Sequence, residues 1–140
     1  MNNEVKLIIY TEEALHVGQT TSIDSEADNG NCVVFQDNGE TGYFYAIDKV
    51  NGVLVVLDAL HIYNVKDVVN TDEQCLVKIL WTEDHSIAIL SINNYYHAVF
   101  DFRNKAGYCR TGFPKSNNSW TKIKERILTD TLIDSFSKIE

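Results

Sequence analysis

The stretch 77-VKILWTEDHSIAILSINNYYHAVFDF-102 decides the fold. Val77, Ile79 and Trp81 form one apolar face of a strand, Glu83-Asp84-His85-Ser86 turn the chain, and residues 87–92 return. Asn93-Asn94 turn it again into residues 95–102. Short apolar runs rich in β-branched and aromatic residues, separated by polar residues that tolerate turn geometry, read as an antiparallel meander.

The same pattern extends towards the N-terminus. Val5, Leu7 and Ile9 make a first strand that ends at Thr11-Glu12-Glu13. Residues 16–31 hold few apolar side chains and two glycines, so they read as a loop with at most a short strand at its start. Residues 32–35 are a strand, and Asp37-Asn38-Gly39 a turn, because Asn and Gly accept positive φ. Tyr43, Tyr45 and Ile47 then alternate with Phe44 and Ala46, placing phenol rims on one face. Asn51-Gly52 is a tight turn, residues 53–57 read as a buried strand, and 58-DALHIYNVKDVV-69 is taken as extended.

Towards the C-terminus, 107-GYCRTGFPKSNN-118 is a loop containing the only proline. A final helix is expected from Ser119 as N-cap. Trp120, Ile123 and Ile127 share one of its faces, while Leu128, Leu132, Phe136 and Ile139 share another, so it either breaks near Thr129-Asp130-Thr131 or packs on two surfaces. The expected class is α+β over residues 1–140 as one domain: an antiparallel strand-rich meander, sandwich or partly open barrel, with a C-terminal helix.

With 140 residues, 44% of them hydrophobic, the chain can bury roughly two-thirds of its unfolded surface around one core. Cys32, Cys75 and Cys109 are an odd number and far apart, which excludes a C-x-x-C metal or redox pair and fits a reducing, cytoplasmic compartment. The apolar run after Lys6 is too short for a signal peptide, and no stretch approaches the ~20 apolar residues of a membrane span. The net charge of -8 is uneven. Residues 1–100 carry 15 acids against 4 bases, whereas residues 101–140 carry 5 against 8.

Four polar residues interrupt apolar strands: Asp58, His61, His97 and Asp101. They could serve acid–base chemistry or a metal. Spacing opposes this, since residues three apart on a strand face opposite ways and residues four apart lie ~13 Å from each other, so a role as hydrogen-bonded strand residues is the reading preferred. Cys109 beside Arg110 could be an activated thiol, but no local motif supplies a base, and Arg110 is expected instead to pin its loop through an ion pair with Asp101. Residues 103–126 hold seven bases and one acid with aromatics between them, as a single-stranded nucleic-acid site would. Complementarity with the acidic strands is the commoner explanation of such a segment, and nucleic acid is not the expected partner. The segment 37-DNGETG-42 matches neither a phosphate loop nor a calcium loop. No catalytic residue, metal or cofactor is therefore assigned.

The blocks 33-VVFQDNGETGYFYAID-48, 57-LDALHIYNV-65 and 97-HAVFDFRNKAGYCRTGFP-114 resemble the recurring blocks of a bacterial family, domain of unknown function 2251. The resemblance covers about residues 32–114, implies a stand-alone bacterial cytosolic protein and carries no functional residue. Residues 16–31 and those after Pro114 lie outside it and read as particular to this chain.

A small, acidic, cofactor-free scaffold suits protein interaction, most concretely immunity to a basic toxin domain such as a nuclease, with no membrane partner. Tyr43, Tyr45, Tyr63, Tyr95 and Tyr96 are the expected anchors, and Asp37, Glu40, Asp58, Glu83 and Asp84 the charged rim. The rival is a small-molecule site or minor hydrolase, with His61, His97 and Cys109 around one pocket.

Overall fold

The computed structural model describes residues 6–116 and 118–137. Val5, Asn117 and Ile139, which figure in the reading above, lie outside the described residues. Among the described residues nine strands run in order: β1 (Leu7–Leu15), β2 (Thr21–Glu26), β3 (Cys32–Asp37), β4 (Thr41–Val50), β5 (Val53–Asn64), β6 (Cys75–Thr82), β7 (Ile87–Ile92), β8 (Tyr95–Asp101) and β9 (Ala106–Cys109). A short 3-10 turn covers Val65–Asp67, and helix α1 covers Asp130–Ser137.

The expected meander β6-β7-β8 is present, extended by β9 on one side and β1 on the other into a five-stranded antiparallel sheet. Strands β2 to β5 form a second, four-stranded antiparallel sheet of consecutive hairpins. Neither sheet closes on itself, so the molecule is a sandwich and not a barrel. Its main core lies between the sheets, where Phe35, Phe44 and Leu60 of one meet Ile79, Trp81 and Phe100 of the other. The Phe44 and Phe100 rings are 5.1 Å apart. Each such side chain contributes about 1.5–3 kcal/mol by leaving water.

The outer face of the five-stranded sheet carries a second cluster of Leu80, Ile89 and Val99, covered by Leu128 and by Leu132, Ile133 and Phe136 of α1. The layers are therefore sheet, sheet and helix.

Three local expectations are corrected. The stretch 16–31 contains β2, whose inward positions are Ile23 and Ser25; the alternation was hidden because one inward residue is a serine, held by the buried Trp81 indole donating to its Oγ at 2.9 Å. No helix starts at Ser119. Asn118 Oδ1 accepts the N–H groups of Trp120 and Thr121, and the backbone is drawn to β9, where Cys109 N–H donates to Arg126 O and Leu128 N–H to Cys109 O. Those tertiary bonds replace helical ones, and the helix begins only at Asp130, with Thr129 Oγ1 accepting from Leu132 N–H as its cap. Finally, residues 53–57 are a strand, as expected, but Val53 to Val56 are exposed and not buried.

Candidate interaction face

Along β3, β4 and β5 alternate residues point away from the core. Register sets them in rows across the four-stranded sheet: Ser22, Gln36, Tyr43 and His61 in one, Asp24, Val34, Tyr45 and Ala59 in the next. The Ser22, Asp24 and Gln36 side chains are exposed, and Val34, Tyr43, Tyr45, Ala59 and His61 are half-buried. This is the sheet face that α1 does not cover.

Its centre is a ladder of rings. Tyr45 and Tyr43 stack with centroids 5.9 Å apart and planes 18° from parallel. The His61 ring stands edge-on to Tyr43 at 5.5 Å, and Phe113 edge-on to His61 at 5.8 Å. Burial, together with the neighbouring Tyr43, raises the Tyr45 phenol pKa above its usual 10.0, so this phenol is a neutral donor at physiological pH. His61 is held by Asn64 Oδ1 at 3.0 Å from Nε2 and by Thr111 Oγ1 at 3.3 Å from Nδ1. Fixed rings of this kind lose little conformational freedom on contact, which makes them effective anchors.

The far end of the ladder is positioned by a buried network. Asp58, on β5, accepts from Arg126 Nη2 at 2.7 Å, Asn118 Nδ2 at 2.9 Å and Thr121 Oγ1. Arg126 Nη1 donates to Ala59 O and Pro114 O. This clamp holds residues 111–114 along β5, where His61 N–H donates to Phe113 O at 2.8 Å. Gly107 is required beside it, because a Cβ there would sit 2.7 Å from Asp58 Oδ2. Asp58 stood out in the sequence as a lone acid among apolar residues; Arg126 did not, being 68 residues away in a basic stretch.

Of the anchors expected from sequence, only Tyr43 and Tyr45 share this face. Tyr63 turns inward and donates to Asp37 Oδ2 at 2.6 Å; burial and that bond push its pKa up. Tyr95 lies beneath the Arg110 guanidinium at 4.5 Å, on the other sheet, and Tyr96 packs in the cluster under α1. Among the rim charges Asp37 and Asp58 are buried and cannot line a rim. Glu40 lies in the β3–β4 turn, and Glu83 and Asp84 in the β6–β7 turn, where Asp84 is paired with Arg103. Burial works against ionisation of Asp84, but hydrogen bonds from Thr82 and Ser86 and the Arg103 charge bring its carboxyl down to about 2. The acids that border the ladder are Asp24 and Glu26 on β2, with Glu26 paired to Lys49 at 2.5 Å.

His61, His97 and Cys109 do not line one pocket. Cys109 is buried, its Sγ 3.5 Å from Phe113 O. His97 lines a cleft of about 350 Å³ at one end of the sandwich, with Tyr63, Cys75 and Ile92. Burial and the nearby Arg110 charge pull the His97 pKa down to about 4. The expected Arg110–Asp101 pair does not form either. Arg110 donates to Tyr96 O and Asp130, while Asp101 caps the turn after β8 by accepting from Arg103 and Asn104 N–H. Among the described residues no group of three or more His, Cys, Asp or Glu is placed to hold a metal ion, and no helix is long and apolar enough to cross a membrane.

The chain is similar to an uncharacterized protein of Haemophilus influenzae, 42% identical over 92 residues, a region that makes up 64% of this chain and 57% of that protein. No solved structure matches. A family model described as "uncharacterized protein conserved in bacteria" matches residues 15–137. That span takes in residues 16–31 and the segment after Pro114, which are thus features of the family and not particular to this chain. The chain belongs to this bacterial family, DUF2251.

Proposed function

We propose that the chain is a protein-binding module that docks its partner on the open face of the four-stranded sheet. The observation that carries this is the ring ladder of Tyr45, Tyr43, His61 and Phe113, half-exposed and fixed on a face whose exposed side chains include Ser22, Asp24 and Gln36. An aromatic centre inside a polar, acidic border has the composition of a binding patch: rings supply the desolvated contact, and the border excludes water and selects charge. Asp24, on a molecule of net charge -8, selects a basic partner. Within that class the occupant we propose is a basic toxin domain, a nuclease above all, because a cleft that attracts phosphate also attracts this acidic border; the chain would then be its immunity protein.

The test is co-expression with the toxin-like product of an adjacent gene, followed by titration of the purified pair. Wild type should rescue growth and bind. Tyr43→Ala and Tyr45→Ala should each weaken binding by tenfold or more, about 1.4 kcal/mol or above, while the variants stay folded at the temperature of the titration. Rescue and affinity untouched by the double variant would remove this face from the proposal, and an adjacent gene without any toxin-like product would remove the immunity reading.

A further inference from the structure

The β4–β5 hairpin outruns the sheet it belongs to. The first residue of β3, Cys32, pairs with Ile47, so beyond that point residues 48–50 and 53–55 pair only with each other. Exposure on this ribbon is high for aliphatic residues: Val53 63%, Leu54 61%, Val55 40% and Val56 56%. Further along, the edge of β5 is occupied, since Ala59 O accepts from Arg126 and His61 N–H donates to Phe113 O. Leu54 and Val56 have no such neighbour among the described residues.

The direction of their backbone groups follows from the turn. Asn51 and Gly52 have φ of 51° and 78°, a two-residue turn of the mirror-image type closed by the Val50–Val53 pair. A closing pair exchanges both hydrogen bonds, and alternation along the ladder then points Val53 and Val55 at β4, and the N–H and C=O of Leu54 and Val56 outward. An open edge of this kind accepts another strand.

We propose that the strand it accepts is the same segment of a second copy, paired antiparallel about Val55, so that the two four-stranded sheets become one of eight strands. The register is self-complementary. Leu54 faces Val56 of the copy and Val56 faces its Leu54, which are the two residues whose polar groups point outward, and each pair exchanges two hydrogen bonds. Val55 faces Val55, and Val53 faces Leu57. Every cross-strand pair is aliphatic, and no charge lies on the segment. The nearest exposed acids, Asp48 of each copy, flank Val55 one strand further in, about 14 Å from each other across three strand spacings and beyond the ~8 Å screening length of physiological salt. A five-residue strand pair falls well short of the ~800 Å² per partner of a stable interface, so the dimer is weak and reversible.

Sedimentation velocity from about 5 to 500 μM reads this directly. Wild type should pass reversibly from monomer to dimer, and Val55→Lys, which brings two ammonium groups together on the axis, should raise the Kd tenfold or more. Independently, in a Cys75→Ser background, Val55→Cys should form a disulfide-linked dimer on mild oxidation, because residues facing each other in a non-hydrogen-bonded pair are about 4.5 Å apart. Val53→Cys should not, its copy being about 13 Å away along the strand. A monomer at every concentration overturns the proposal and leaves the edge to a strand of some other protein; so does a dimer indifferent to Val55→Lys, or equal cross-linking at positions 53 and 55. None of these outcomes touches the ring ladder, so failure here is distinct from failure of the binding face.

Discussion

Arg126 and Asp58 are each almost wholly removed from water, and the salt bridge between them is accompanied by an Arg126 Nε that has no hydrogen-bond partner among the described residues. A buried pair adds little over a well-packed apolar pair, but removing one partner leaves the other charged and unsolvated. Arg126→Ala should therefore cost about 3–5 kcal/mol in urea unfolding, and the double replacement Asp58→Leu with Arg126→Met should cost less than either change alone. The sequence marked Asp58 by contrast with its apolar neighbours, yet it could not supply the partner, because nothing local distinguishes Arg126 from the other bases of its segment. His97 gives a second expectation. Its pKa of about 4 in the folded chain lies below the usual 6.5, so the unfolded chain takes up a proton first as pH falls. Stability should be fully present above pH 6.5 and decline towards pH 4, by up to about 3 kcal/mol, and His97→Gln should flatten the profile in that window. The corresponding loss for Asp84 falls lower, between its usual 3.8 and about 2.

Helix α1 earns its place by covering the outer face of the five-stranded sheet, not by intrinsic helicity, since eight residues are too few to hold a helix in water. Leu132 and Phe136 are its half-buried contacts, with the Phe136 ring 5.7 Å from Tyr108. Leu132→Ala and Phe136→Ala should each cost about 1–2 kcal/mol, and amide exchange should show α1 opening before either sheet. Ile127→Ala should be nearly neutral, because its side chain is half-exposed and belongs to no helix. The meander, the two Asn-Gly hairpins and the second helical face were legible because local periodicity and turn chemistry agree with the fold there. Residues 119–129 were not, because their backbone bonds go to β9 and their side chains to Asp58. The exposure of Val53 to Val56 was equally hidden: an aliphatic run has one appearance whether it fills a core or waits at an edge.

At the scale of the whole molecule, much of the basic segment's charge serves cohesion. Arg103, Arg110 and Arg126, the three arginines of the basic segment, are each held by a carboxylate of the same chain, Asp84, Asp130 and Asp58 respectively. The arginines of the segment therefore work as internal counter-charge, while Asp24 stays exposed beside the ring ladder. Association with a basic partner should accordingly slow by tenfold or more between about 50 and 500 mM salt, with dissociation changing much less, as stopped-flow titration would show. The clamp between Asp58 and Arg126 also orders events in time. All nine strands precede Arg126, β9 ending at Cys109. At 5–20 residues per second the ribosome needs roughly another one to three seconds to deliver the guanidinium. During that interval the emerging sandwich can hold its β5 carboxylate only by keeping it wet, so the closed form of this protein is reached only after every strand of both sheets has been made.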